Sequence, residues 1–159
     1  MIKRIIVEGA DQQGKTEFCN LLKKELGWQI VKFNKPEPNF DFFNGYLIPE
    51  HSISDRNFLS EVVYSQVRGD TCKIADIKEL VDELNSLDTI IILMDRESNY
   101  VFDNTRYEDY TQWEILRARN FYRDCFNSLK NIRKFKVNPH SPGAIKSIIH
   151  SIKTNYANT

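Results

Sequence analysis

The chain has no apolar run long enough to cross a bilayer; the longest, IIILM at 90–94, is only strand length. It shows no signal-peptide pattern, so the expectation is a cytoplasmic protein with no membrane partner. Cysteine is scarce. Cys19, Cys72 and Cys125 are odd in number and widely spaced, which argues against a disulfide framework or a zinc site. Net charge is lacking too, with 22 basic against 22 acidic residues. A strongly basic nucleic-acid binder is therefore not expected, although a local basic patch is compatible with that balance. His51, His140 and His150 stand apart without ligand spacing and read as structural or solvent-facing. No internal repeat or low-complexity segment occurs.

What remains is ordinary globular composition over 159 residues, enough for one domain, 1–159, with a real core. Short apolar stretches alternate with helical patterns. Strands are expected at 3–7, 28–33, 51–54, 89–94 and 134–138. A helix is expected from Lys15 to Leu26, with Phe18, Leu21, Leu22 and Leu26 on one face and Gly27 as its stop. Leu59, Val62, Val63 and Val67 mark a second helix. Ile74, Ile77, Leu80, Val81 and Leu84 mark a third. A fourth spans about 109–129, with Tyr110, Trp113, Phe121 and Tyr122 on a buried face. Ser141-Pro142 read as the cap and first residue of a fifth helix, whose apolar side carries Ile145, Ile148, Ile149 and Ile152. Strands alternating with helices, some strands apolar throughout, imply a parallel sheet covered on both sides.

The stretch VEGADQQGKT, 7–16, follows the first strand and opens the first helix. Gly9, Gly14, Lys15 and Thr16 match G-x-x-x-x-G-K-[ST] in the strand–loop–helix context that confirms a phosphate loop. Glycines let backbone N–H groups curl around phosphate oxygens, and the helix N-terminus adds partial positive charge. The ATP-binding residues are then Gly9, Ala10, Asp11, Gln12, Gln13, Gly14, Lys15, Thr16 and Glu17. Lys15 is expected to face solvent and reach the β- and γ-phosphates, and Thr16 to hold Mg²⁺.

DRNFLSEVVYSQ, 55–66, narrows the class. With VEGADQQGKT it resembles the thymidylate kinase family, whose phosphate loop reads E-G-x-[DE]-x-x-G-K-[ST] and whose Asp-Arg motif reads D-R-[YW]-x-x-S-x-x-A-Y-Q. Asp55, Arg56, Ser60 and Tyr64 fall in step. LDTIIILMD, 87–95, resembles the family's fourth strand, and TRYED, 105–109, the end of its lid. The resemblance implies a P-loop kinase three-layer sandwich: an α/β fold with a five-stranded parallel sheet covered by helices on both faces. It implies a compact member of the kind viruses encode, with ATP and Mg²⁺, small nucleotide substrates, and a homodimer as an option. By position, Asp55 inherits metal binding and acceptor activation. Arg56 inherits the acceptor-phosphate clamp, Asp11 the contact to the sugar 3′-hydroxyl, and Ser60 and Tyr64 places in the acceptor site.

Other roles follow from charge. Some family members carry an arginine where this chain has Gln12, so the transferring group needs cations from elsewhere. Arg96 and Arg106, flanking a polar lid at 95–108, are the candidates. Lys35 follows the second strand where a cation for the acceptor phosphate is wanted. Phe43, with Phe40 and Phe42, offers a ring for the base or for the core. The acceptor region is only 34–54, which makes base choice the least transferable property. The expected reaction moves the γ-phosphoryl of ATP to a deoxynucleoside monophosphate, dTMP or a 5-modified deoxyuridylate. A deoxynucleoside kinase, a kinase acting on modified bases within DNA, and a non-catalytic nucleotide-binding regulator stand as alternatives.

Overall fold

The computed structural model describes residues 1–11, 13–33, 36–96 and 111–157. Five parallel strands form one sheet in the order β2-β3-β1-β4-β5: β1 Arg4–Glu8, β2 Gln29–Lys32, β3 Ser52–Asp55, β4 Thr89–Met94 and β5 Arg133–Val137. The helices are α1 Lys15–Leu26, α2 Phe58–Arg68, α3 Ile77–Ser86, α4 Gln112–Ser128 and α5 Ala144–Ala157. Strand pleating sends alternate residues to opposite faces. Ile6, Ile91 and Leu93 pack against α2, α3 and α4. Ile5, Val7, Ile53, Ile90, Ile92 and Met94 pack against α1 and α5. The three central strands are buried along their whole length, the polar residues of β1 and β3 included, as parallel strands covered on both faces are.

Local chemistry sets the helix ends. Gly27 takes a left-handed conformation (φ 73°), and its N–H bonds Lys23 O, ending α1. Asp76 caps α3 by accepting from Glu79 N at 2.9 Å. Thr111 and Glu114 form a capping box at the start of α4.

Four expectations need correction. The buried arc of α1 runs through Lys15, Phe18, Cys19 and Leu22, so Leu21 falls outside it and is 43% exposed. Ile74 is buried ahead of α3, because the cap at Asp76 starts the helix later. Trp113 lies in the exposed first turn of α4 at 76% exposure, whereas Tyr122 is in the core; Tyr110 lies outside the described residues. Ser141 and Pro142 are not cap and first helical residue. Gly143 adopts φ 76°, and the helix begins after it at Ala144.

Candidate functional site

Because all strands are parallel, β1, β3 and β4 end at one edge, and residues 9–11, 13–16, 55–57 and 94–96 meet there. Gly9 sits at φ 147°, and a Cβ on it would lie 2.5 Å from Met94 O, so only glycine allows the loop to pass this close to β4. Gly14, at φ 84°, turns the chain into α1. Gln13 is fully buried and accepts from Arg96 N at 2.7 Å, which ties the loop to the end of β4. Lys15 does not face solvent. It is 6% exposed and donates from Nζ to Ala10 O at 2.6 Å, folded under the loop it was expected to leave. Burial first, then the neighbouring Arg56 cation, pushes its ammonium down to about 7. Glu17 is exposed in the first turn of α1.

β3 delivers the adjacent pair Asp55 and Arg56 in different directions. Asp55 is buried, and its Oδ2 accepts from Thr16 Oγ1 at 3.1 Å. Arg56 has φ 70°, a conformation that costs a branched-out side chain about 1 kcal/mol or more. The surrounding bonds over-determine it. Its N–H bonds Val7 O at 2.9 Å, its carbonyl accepts from Ser54 Oγ, and Asn57 Nδ2 reaches Ser54 Oγ and Tyr46 O. The Arg56 guanidinium forms an ion pair with the Asp11 carboxylate and lies over the Tyr64 ring, 5.5 Å from its centroid.

Glu8 went unrecognised. Read as ending at Val7, β1 left Glu8 in the loop; the strand runs one residue further. Pleat parity then puts Glu8 on the Ile6 face, under α2 and α4, with no exposure. Its Oε1 accepts from Leu59 N at 3.1 Å and its Oε2 from Ser60 Oγ at 2.8 Å. Ser60 Oγ also lies 2.8 Å from the Tyr122 hydroxyl of α4. Burial raises the Glu8 carboxyl to about 7, against the pull of its bond from Ser60 and of Arg56 and Lys15. The sequence signal was a charged residue two positions after Ile6, where the pleat puts the next buried side chain.

Beyond β2, the rings pack on one another. Phe40 and Tyr46 have centroids 5.0 Å apart, Phe40 and Phe42 5.1 Å, and Phe33 and Tyr46 5.8 Å. A Cβ on Gly45 would lie 2.6 Å from the Phe40 ring, so any larger residue would make that ring shift. Phe43 is half-buried against the same core, and Tyr46 is buried. At the end of β4, Asp95 is held bidentately by Arg123 of α4, at 2.6 and 2.9 Å, and Arg123 also reaches Arg96 O at 3.4 Å. The root of the expected lid is therefore clamped from α4 by Arg123 and from the 9–16 loop by Gln13. Gln12, Lys35, Arg106 and positions 97–108 of that lid lie outside the described residues. Among the described residues, no helix is long and apolar enough to cross a membrane.

No family model matches the chain, and no curated protein matches it. Solved structures do. The YorR protein of Bacillus subtilis, in complex with phosphorylated GDP, superposes with a TM-score of 0.69 at 18% identity, over 97% of this chain and 98% of that one. Deoxyadenosine kinase from M. mycoides with bound dCTP gives 0.60 at 15% identity, over 95% and 99%. Thymidylate kinase from Candida albicans gives 0.57 at 13% identity, over 99% and 93%. The strand order, the helices on both faces and these superpositions together establish the α/β fold of P-loop nucleotide kinases.

Proposed function

We propose that the chain transfers the γ-phosphoryl group of ATP to a deoxynucleoside monophosphate, a pyrimidine nucleotide such as dTMP or a 5-modified deoxyuridylate. One observation carries this reading: two consecutive residues at the end of β3 serve opposite sides of one edge. Asp55 turns to Thr16 at the head of α1, and Arg56 turns to Asp11 and Tyr64. A donor phosphate over the 9–16 loop and an acceptor phosphate at Arg56 would meet between them. Guanidinium recognises phosphate bidentately and lowers the repulsion between two anions.

Mg²⁺ fits the donor set. A hydroxyl and a carboxylate 3.1 Å apart are hard oxygens, one or two of which suffice when phosphates and water complete the shell. When bound with ATP, the ion neutralises charge on the β- and γ-phosphates. Thr16 and Asp55 would hold it. Lys15 would exchange Ala10 O for phosphate oxygens, and the loop N–H groups would orient the chain of phosphates. Arg56 would leave Asp11 for the acceptor phosphate, freeing that carboxylate for the sugar 3′-hydroxyl. Catalysis is then positioning plus electrostatics, without a covalent intermediate. Arg96 and Arg106 would supply the remaining positive charge, and Lys35 and Phe43 would border the acceptor.

The likeness to deoxyadenosine kinase supports a second reading, in which the acceptor is an unphosphorylated deoxynucleoside. A coupled ADP-release assay separates the two. The panel is dTMP, dUMP, 5-hydroxymethyl-dUMP, dCMP, dGMP and the matching nucleosides under one condition. Pyrimidine monophosphates are expected to give the highest kcat/KM. Turnover confined to nucleosides would reject the monophosphate reading.

A further inference from the structure

Glu8 takes no part in the reaction just outlined, yet it is a carboxylate with no solvent exposure, opposite Leu93 of β4 and one pleat beyond Ile6. Burying it costs far more than burying a leucine there would. That cost is met only if its acceptor bonds do something an apolar side chain cannot. We propose that Glu8 is a positioning residue for the acceptor-phosphate arginine: through Leu59, Ser60 and Tyr122 it fixes the turn that presents Arg56 and couples that turn to α4. The inference rests on the proposed role of Arg56.

The directions of the hydrogen bonds carry the argument. Above about pH 7, where the buried Glu8 carboxyl gives up its proton, it is a carboxylate and only accepts. Oε1 takes the Leu59 N–H, one of the donors at the first turn of α2 that no helical carbonyl can satisfy. This pins α2 two residues after the strained Arg56-Asn57 turn. Oε2 takes the single hydroxyl proton of Ser60. The 2.8 Å contact between Ser60 and Tyr122 must then be a bond donated by the phenol. Every proton along this path points toward Glu8, so the carboxylate sets the polarity of a contact between α2 and α4. Tyr122 meets Tyr64 edge to face, with centroids 6.0 Å apart, and the Tyr64 ring carries the Arg56 guanidinium. Glu8 thus bears on Arg56 from two sides: along the backbone through Leu59, and through the rings under its side chain.

Glu8→Gln tests this with almost no change of volume. With its carbonyl on Leu59 N, the amide would present N–H to Ser60, turn the serine proton to Tyr122 and leave the phenol proton without its acceptor. Steady-state kinetics on the intact chain at about pH 8.5, where Glu8 is ionised, should show an acceptor KM raised at least ~10-fold and an ATP KM changed less than ~3-fold, with Tyr122→Phe acting in the same direction and the double variant less than additive. An unchanged acceptor KM, or an equal rise in both KM values, would overturn the proposal. A second measurement needs no substrate. The Arg56 Nε–H resonance, assigned by its loss in Arg56→Ala, should shift in both Glu8→Gln and Tyr122→Phe, and its staying in place would also overturn the proposal. A wild-type chain inactive on every monophosphate would reject the proposed reaction and leave the resonance test standing.

Discussion

Thr16 donates its hydroxyl to Asp55 across 3.1 Å, joining the first turn of α1 to the last residue of β3. Two hard oxygen donors from distant parts of the chain are thereby held side by side. Asp55→Asn and Thr16→Val should each lower kcat by at least ~100-fold and raise the Mg²⁺ concentration needed for half-maximal turnover. Turnover measured against Mg²⁺ concentration checks this, and a wild-type Mg²⁺ requirement in both variants would remove the assignment.

Lys15 is buried against the carbonyl of Ala10. Lys15→Met keeps most of its volume and removes a cation that burial disfavours. Phosphoryl transfer should fall below ~1% of wild type while the melting temperature holds or rises. Calorimetry and the ADP-release assay on one preparation give both quantities. Loss of activity with a lowered melting temperature would mean that the lysine is a structural member of the loop.

Arg56 joins a functional side chain to a left-handed backbone. Arg56→Ala should raise the KM for a monophosphate acceptor roughly 10- to 150-fold, the loss of about 1.5–3 kcal/mol, and leave the KM for ATP nearly unchanged. Arg56→Gly should lose the same affinity but be more stable than Arg56→Ala by about 1 kcal/mol, because glycine accepts φ 70° without strain. Chemical denaturation orders the two variants, and equal stabilities would show that the turn is unstrained.

Glu8 makes stability depend on pH. Its carboxyl lies near 7 in the fold against 4.5 in the unfolded chain, so the folded state holds the proton through that window. The stabilisation is full below about 4.5 and is lost as pH rises through 7. Lys15, Arg56, Ser60 and Tyr122 are the charged and polar groups facing it. Glu8→Gln has no such titration. The stability of the variant minus that of wild type should therefore rise with pH between 4.5 and 8, by on the order of 3 kcal/mol. Urea unfolding across that range measures the difference, and a flat difference would place the Glu8 carboxyl in its ordinary range.

The strands and the glycine loop were legible because their signals are local. Apolar runs such as IIILM declare a strand buried on two faces, and the glycine spacing declares its own turn. Asp55 was legible through its neighbour Arg56 at the end of a strand. Glu8 was not, since one residue of strand length decides whether a side chain lies in a loop or under two helices. The burial of Lys15 depends on the loop closing over it, which no spacing encodes. The Asp95–Arg123 pair joins positions brought together by the return of α4 alone. Trp113 misled because helical periodicity does not say where the sheet ends.

Arg96 stands at the root of the expected lid, and Arg106 falls within the segment expected to form it. With Gln12 in the loop, at least one of them should supply charge in the transition state. The responsible single alanine variant should lose kcat by ~100-fold or more with modest change in KM. Normal turnover in both Arg96→Ala and Arg106→Ala would reject the lid as the source of that charge.

The chain's two tryptophans occupy opposite environments, Trp28 at 4% exposure on the α1–α5 face and Trp113 at 76% in the first turn of α4. The molecule therefore carries its own optical probe. Trp28 should emit to the blue and resist aqueous quenchers, while Trp113 emits to the red and is quenched readily. Replacing Trp28 with phenylalanine leaves a single tryptophan, two residues from the cap of α4. Nucleotide binding near that end can then be timed by stopped flow without attaching a dye.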